Sequence, residues 1–159
     1  MKTLIVYYSR TGLTKKLAEF LGRELGADTE EIIDKQDRSG AFGYLKSGRD
    51  AMRKRLTEIA APEHDPSLYD LVIIGTPTWA FNMACAVRTY LTKNKNSFKR
   101  LAFFATHGSD GAEKAIKNME DLSGRQSSAS LVLSSREISN DKFLDSAKGF
   151  SQRLKEVNL

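Results

Sequence analysis

A three-layer α/β sandwich around a parallel sheet is predicted for this 159-residue chain by three observations. Three apolar runs, LIVYY (4–8), LVIIG (71–75) and LAFFA (101–105), lack the polar alternation of a strand with one wet face. Amphipathic helical stripes separate them. Strand and helix patterns then alternate five times over, an order that builds crossover connections and covers a sheet on both faces.

The elements follow in chain order. After the run at 4–8, Leu17, Phe20, Leu21 and Leu25 recur at helical spacing. TEEII (29–33) is short and half polar, which suits an edge strand. The stretch 43–59 reads as helix at least from Arg49 onward, because two glycines weaken its start. APEHDP (61–66) is a loop. The run at 71–75 precedes a helix from about Met83 to Leu91. The run at 101–105 precedes Ala112, Ala115, Ile116, Met119 and Leu122, with Gly124 as the stop. SLVLSS (130–135) is a weaker strand. Phe143, Ala147, Phe150 and Leu154 mark a last helix, capped by Ser139 or Asn140. No repeat, low-complexity tract or linker divides the chain, so residues 1–159 form one domain with a sizeable core.

Composition narrows the function classes. No apolar run reaches membrane-spanning length, so no membrane insertion is expected. The start, MKTLIVYYSR, is too short and too β-branched for a signal peptide. One cysteine, Cys85, permits no internal disulfide and suits a reducing compartment, so the expected location is cytoplasmic. Two distant histidines and one cysteine give no metal spacing. Between residues 35 and 55 stand seven bases, Lys35, Arg38, Lys46, Arg49, Arg53, Lys54 and Arg55, against Asp37 and Asp50. That one patch accounts for the whole net charge of +5.

In a parallel sheet the ligand site lies beyond the carboxyl ends of the strands. SRTGLT (9–14), TPTWAFN (76–82) and THGSDG (106–111) all fall there. The first can wrap a phosphate: amides from Arg10 to Thr14 line a turn, Gly12 admits close approach, and Ser9, Thr11 and Thr14 add hydroxyls. A dianion would also offset Arg10, Lys15 and Lys16, cations that a helix start disfavours. The alternative is a Ser/Thr-capped turn with solvated lysines. Trp79, beside Pro77, is either a flat platform for a ring or a core tryptophan. The loop at 106–111 is small enough to line the polar edge of a heterocycle. Together the three loops suggest a ring-bearing mononucleotide.

Competing anion sites fail on spelling. SRTGLTKK lacks the glycine that a P-loop needs five residues before Gly-Lys. The dinucleotide fingerprint is absent after every strand. A cysteine phosphatase needs arginine where Leu91 stands, and a phospho-acceptor domain needs acids where Tyr8, Ser9 and Arg10 stand.

On these residues the chain resembles the flavodoxin family. SRTGLT matches the family's phosphate loop T/S-x-T-G-x-T, and GTPTW (75–79) matches the loop whose tryptophan stacks on the isoalloxazine. THGSDG occupies, more loosely, the place of the loop along the pyrimidine edge. The resemblance covers the whole chain in element order and is closest to the short-chain type. It implies a flavodoxin-like sandwich with a five-stranded parallel sheet in the order 2-1-3-4-5. It implies FMN as cofactor, held by Ser9, Arg10, Thr11, Gly12, Leu13 and Thr14, by Pro77, Thr78, Trp79, Ala80 and Phe81, and by Thr106, His107, Gly108, Ser109 and Gly111. Three departures stand out. Ala80 replaces a glycine whose peptide turns toward the reduced flavin, and its side chain makes that turn costlier. The net charge is positive where the family is acidic. The second stacking tyrosine is missing, with His107 the only ring in its loop.

The leading reading is an FMN electron-transfer protein with no acid–base catalytic residue and no metal. A second is an NAD(P)H-dependent FMN reductase of quinones or flavins. A third is a flavin-binding regulatory module without turnover. The partner is a redox protein or NAD(P)H, docking on Lys46, Arg49, Arg53, Lys54 and Arg55. No aromatic but Tyr44 interleaves with these bases, so nucleic acid is not expected. The chain is read as a monomer or homodimer. Cys85 reads as a buried structural thiol, and His64 carries no role.

Overall fold

The computed structural model describes residues 1–156. The strands β1 (Thr3–Tyr7), β2 (Asp28–Glu31), β3 (Leu71–Trp79), β5 (Leu101–His107) and β6 (Ser130–Ser134) form a parallel sheet ordered β2-β1-β3-β5-β6. This is the expected 2-1-3-4-5 order with one added element. β4 (Asn82–Met83) folds back antiparallel on the end of β3, pairing Trp79 with Asn82 and Thr78 with Met83. The helices are α1 (Leu13–Leu25), α2 (Gly40–Met52), α3 (Cys85–Asn94), α4 (Ala112–Ser123), α5 (Ser135–Ser139) and α6 (Leu144–Glu156).

Strand side chains alternate between two cores, which is why the three central strands carry apolar runs without polar alternation. Leu4, Val6, Val72, Ile74 and Phe103 pack with Ala51 of α2, Val87 and Leu91 of α3, and Ile116 and Met119 of α4. Ile5, Tyr7, Leu71, Ile73 and Phe104 pack with Leu17 and Leu21 of α1, Ile138 of α5, and Phe150 and Leu154 of α6. A Cβ at Gly75 would sit 2.0 Å from the Phe104 ring, so this central strand position accepts no side chain without displacing that ring.

Three local expectations are corrected. The helix expected over 43–59 begins at Gly40 and ends at Met52. Tight packing of Gly43 on the Arg38 backbone fixes its start, since a Cβ there would lie 2.1 Å from the Arg38 carbonyl. Lys54 turns left-handed at φ 54, and the chain leaves through Arg55 N–H donating to the Asp50 carbonyl. The loop expected at 76–82 is instead the end of β3, a two-residue turn and β4. Ser139 and Asn140 do not cap the last helix; they end α5, which starts with a Ser134–Glu137 capping box, and α6 begins at Leu144. The expected domain runs on to residues 157–159, which lie outside the described residues. Among the described residues no helix is long and apolar enough to cross a membrane, and no group of side chains could hold a metal ion.

Candidate functional site

The turn SRTGLT joins β1 to α1 at the carboxyl edge of the sheet. Gly12 caps α1 in the left-handed region at φ 92, where a side chain would be strained. The Ser9 hydroxyl accepts from the Gly12 and Lys15 amides at 3.0 and 3.2 Å. The first intrahelical bond runs from Lys16 N–H to the Gly12 carbonyl at 3.0 Å. The amides of Leu13 and Thr14 precede it, as unpaired donors of a helix start do. Thr14 and Thr106 are both buried and share a 2.9 Å hydroxyl contact, which joins this turn to the end of β5.

The three cations of this turn have protein partners. Lys15 pairs with Glu31 at 3.4 Å. Lys16 pairs with Asp141 at 2.7 Å and donates to the Ile138 carbonyl at 3.0 Å. Arg10 donates to the Arg38 and Gly40 carbonyls, both at 3.0 Å, and lies over Tyr44. The lysines are therefore answered by acids from β2 and from the turn after α5. Arg10 holds the start of α2 against the turn.

Between these elements lies a cleft of about 190 Å³. Ten of the sixteen expected site residues line it: Arg10, Thr11, Leu13, Thr14, Pro77, Thr78, Trp79, Thr106, His107 and Gly108. Ser9 lines an adjoining hollow with Arg38 and Ser39. Gly12, Ala80, Phe81, Ser109 and Gly111 stand outside the lining. Two lining residues escaped the sequence reading. Ser135 follows β6 at the same sheet edge, and Tyr44 reaches over from α2. The rule of strand carboxyl ends identifies Ser135, but no local signal identifies Tyr44.

Trp79 is 9% exposed. The Arg38 guanidinium lies over its ring at 5.4 Å, and Tyr8 meets it edge-on at 5.4 Å between centroids. It is a wall of the cleft rather than a platform open over its whole face. Arg38, one of the seven bases between residues 35 and 55, is 4% exposed. It bonds Asp34 at 2.6 Å and Asp50 at 3.3 Å. Burial, with Asp34 opposing ionisation, pushes the Tyr8 phenol up to about 12, so it stays neutral and polar beside the cleft. Burial also pushes the Cys85 thiol up, and this free cysteine is fully buried in the core at the start of α3. That agrees with a structural thiol. Two buried polar atoms of lining residues, Thr78 Oγ1 and His107 Nδ1, have no protein partner.

The turn after Trp79 is left-handed at both central residues, Ala80 at φ 48 and Phe81 at φ 63. A two-residue hairpin of this kind normally uses Asn or Gly. Ala80 thus sits in a left-handed conformation that an L side chain ordinarily opposes. Surrounding contacts hold it there: the Phe81 ring packs where a Gly111 side chain would be, and Arg88 donates to the Asn82 side chain at 2.8 Å. A left-handed L-residue costs ~1–2 kcal/mol. Glycine adds ~0.4–1 kcal/mol of unfolded-chain entropy. Ala80→Gly is expected to raise stability by a net ~0.5–1 kcal/mol, read as a higher urea midpoint at unchanged slope. A lower midpoint would show that the Ala80 methyl contributes more in packing than it costs in strain.

The sequence profile of a family described as Flavodoxin matches residues 2–143. A flavoprotein from Lactobacillus acidophilus NCFM, solved in complex with FMN, is 26% identical with a TM-score of 0.72; the match covers 87% of this chain and 97% of that one. The apo-form of the flavoprotein from that organism is 27% identical over 87% and 95% of the two chains, at a TM-score of 0.63. The two-electron reduced flavodoxin of Megasphaera elsdenii, 14% identical over 95% and 98%, shares the fold at a TM-score of 0.59. The curated proteins give no match.

Proposed function

We propose, from the premise that the chain belongs to the flavodoxin family, that it binds FMN in the cleft joined by Thr14 and Thr106 and serves in electron transfer. One observation carries this reading. The α1 N-terminus opens on a cleft whose lining includes Thr78 and His107, each with a buried polar atom, Oγ1 and Nδ1, that has no protein partner. An anionic tail and a polar ring edge on one ligand would use both features. The FMN complex of the Lactobacillus acidophilus flavoprotein supports the choice of ligand.

The residues divide the work. The amides of Thr11, Leu13 and Thr14, with the Ser9 and Thr11 hydroxyls, hold the phosphate. Pro77, Thr78 and Trp79 wall one side of the ring, with Ala80 and Phe81 beyond them. Thr106, His107 and Gly108 face its polar edge, with Ser109 and Gly111 completing that loop. Tyr44 closes the cleft from α2. When bound, FMN supplies one- and two-electron chemistry, and the protein binds, orients and partly shields it. A reducing cytoplasm suits the single buried thiol.

The test is anaerobic mixing of the FMN-loaded protein with NADPH in a stopped-flow spectrometer. An electron-transfer protein is expected to keep its flavin absorbance over seconds. Rapid bleaching would move the chain to the NAD(P)H-dependent reductases.

A further inference from the structure

The outer face of α2 is apolar where a surface helix is ordinarily polar. Phe42 is 90% exposed, Leu45 68%, and Tyr44 and Met52 65% each. Phe42, Leu45 and Met52 stand at helical spacing opposite the buried Gly43, Ser47, Asp50 and Ala51. Leu56, beyond the helix, is also exposed. Bases surround this centre: Lys46 and Arg49 on the helix, then Arg53, Lys54 and Arg55 after it. Arg49 and Arg55 lean on the buried Asp50 at 3.8 and 3.4 Å. No ion pair within the described residues engages Lys46, Arg53 or Lys54. Beside them runs a groove of about 410 Å³ between Ser39, Phe42, Leu45 and Arg49. Its single acid, Asp37, accepts from the Ser39 amide at 2.9 Å.

Such a patch marks an interaction surface. Its composition, aromatic, Met and Arg, is that of a protein interface core and rim. A second copy docking isologously would set these bases against themselves. The surface also borders the site: Tyr44 belongs both to this helix and to the cleft, and Arg10 ties the start of α2 to the turn before α1. We propose that the outer face of α2 docks an acidic electron-carrier protein whose contact surface has an apolar centre within a ring of carboxylates. The proposal rests on the FMN reading and adds the partner. The docked carrier gives up one electron, the bound flavin receives it, and any accompanying proton comes from water.

The experiment uses a reduced two-iron ferredoxin, an acidic one-electron carrier, as the probe. Stopped-flow mixing with FMN-loaded protein gives the transfer rate, and calorimetry of oxidised ferredoxin gives docking without any flavin reaction. One variant carries Phe42→Gln, Leu45→Gln and Met52→Gln. A second carries Lys46→Gln, Arg53→Gln and Lys54→Gln, which spares the bases that pair with Asp50. The first is expected to slow transfer about tenfold at low and high salt alike, as loss of an interface centre does. The second is expected to slow it about tenfold at low salt only, as loss of screened steering does. Both should keep the wild-type affinity for FMN. Wild-type transfer and docking in both variants would overturn the proposal. So would sedimentation with phosphatidylglycerol vesicles that the first variant loses while ferredoxin docking persists, since the face would then be a membrane contact. Failure of the wild-type protein to bind FMN would instead overturn the functional reading, and the calorimetry would still decide the docking.

Discussion

Arg38→Met is expected to destabilise the protein by about 3–5 kcal/mol, the cost of stranding buried charge. Methionine fills much of the same volume without the guanidinium. Asp34 and Asp50 would then remain buried with that partner gone, their side chains 2% and 5% exposed. Asp34 keeps the Gln36 amide at 2.9 Å and the Thr57 hydroxyl at 2.7 Å. Asp50 keeps only the long contacts to Arg49 and Arg55. Asp50 is therefore the less compensated of the two, and Arg38→Met with Asp50→Asn should recover part of the loss. The guanidinium over Trp79 also disappears, so tryptophan emission should shift in the folded variant. Urea denaturation at constant slope checks the first result, and emission spectra check the second. A loss below about 1 kcal/mol would show that the buried triad contributes little net stability.

FMN is expected to bind at least about a hundredfold more tightly than riboflavin, which lacks the phosphate. Two or more charge-assisted hydrogen bonds from the start of α1, at ~1.5–3 kcal/mol each, give ~3–6 kcal/mol. The donors are backbone amides preceding the first helical bond, preset by Gly12 at φ 92. They need no rearrangement of Lys15 or Lys16, which Glu31 and Asp141 already hold. The preference should therefore come mainly from neutral amides and hydroxyls, with Arg10 restrained by the backbone of α2. Lys15→Gln is expected to leave it nearly unchanged. Fluorescence titrations with both flavins check this, and equal affinities would remove the phosphate role from the turn.

Much of the fold was legible because its signals are local. A strand covered on both faces must be apolar at every position, and LIVYY, LVIIG and LAFFA are. A helix with one buried stripe must repeat at three and four residues, and α1, α4 and α6 do. The rule that ligands sit beyond strand carboxyl ends brought SRTGLT, TPTW and THG to one cleft. The hairpin after Trp79 was not legible, because Ala-Phe is poor spelling for a left-handed turn and is held there by Gly111 and Arg88. Nor was the start of α2, since Gly43 looks like a helix breaker until Arg38 is packed against it.

The order of local patterns by itself determined the layered sheet, its central strands and the place of the turn SRTGLT at the sheet's carboxyl edge, because backbone period and turn chemistry act between near neighbours. The fate of the charges belonged to the tertiary structure. Seven bases within residues 35–55 read as one surface patch, yet Arg38 went inside to meet Asp34 and Asp50, and Lys35 paired with Glu58. Lys15 and Lys16 read as cations waiting for an anion, yet β2 and the turn after α5 brought Glu31 and Asp141 to them. Coulomb energy depends on distance in space and on the water excluded there, and neither is written in the spacing of residues along the chain.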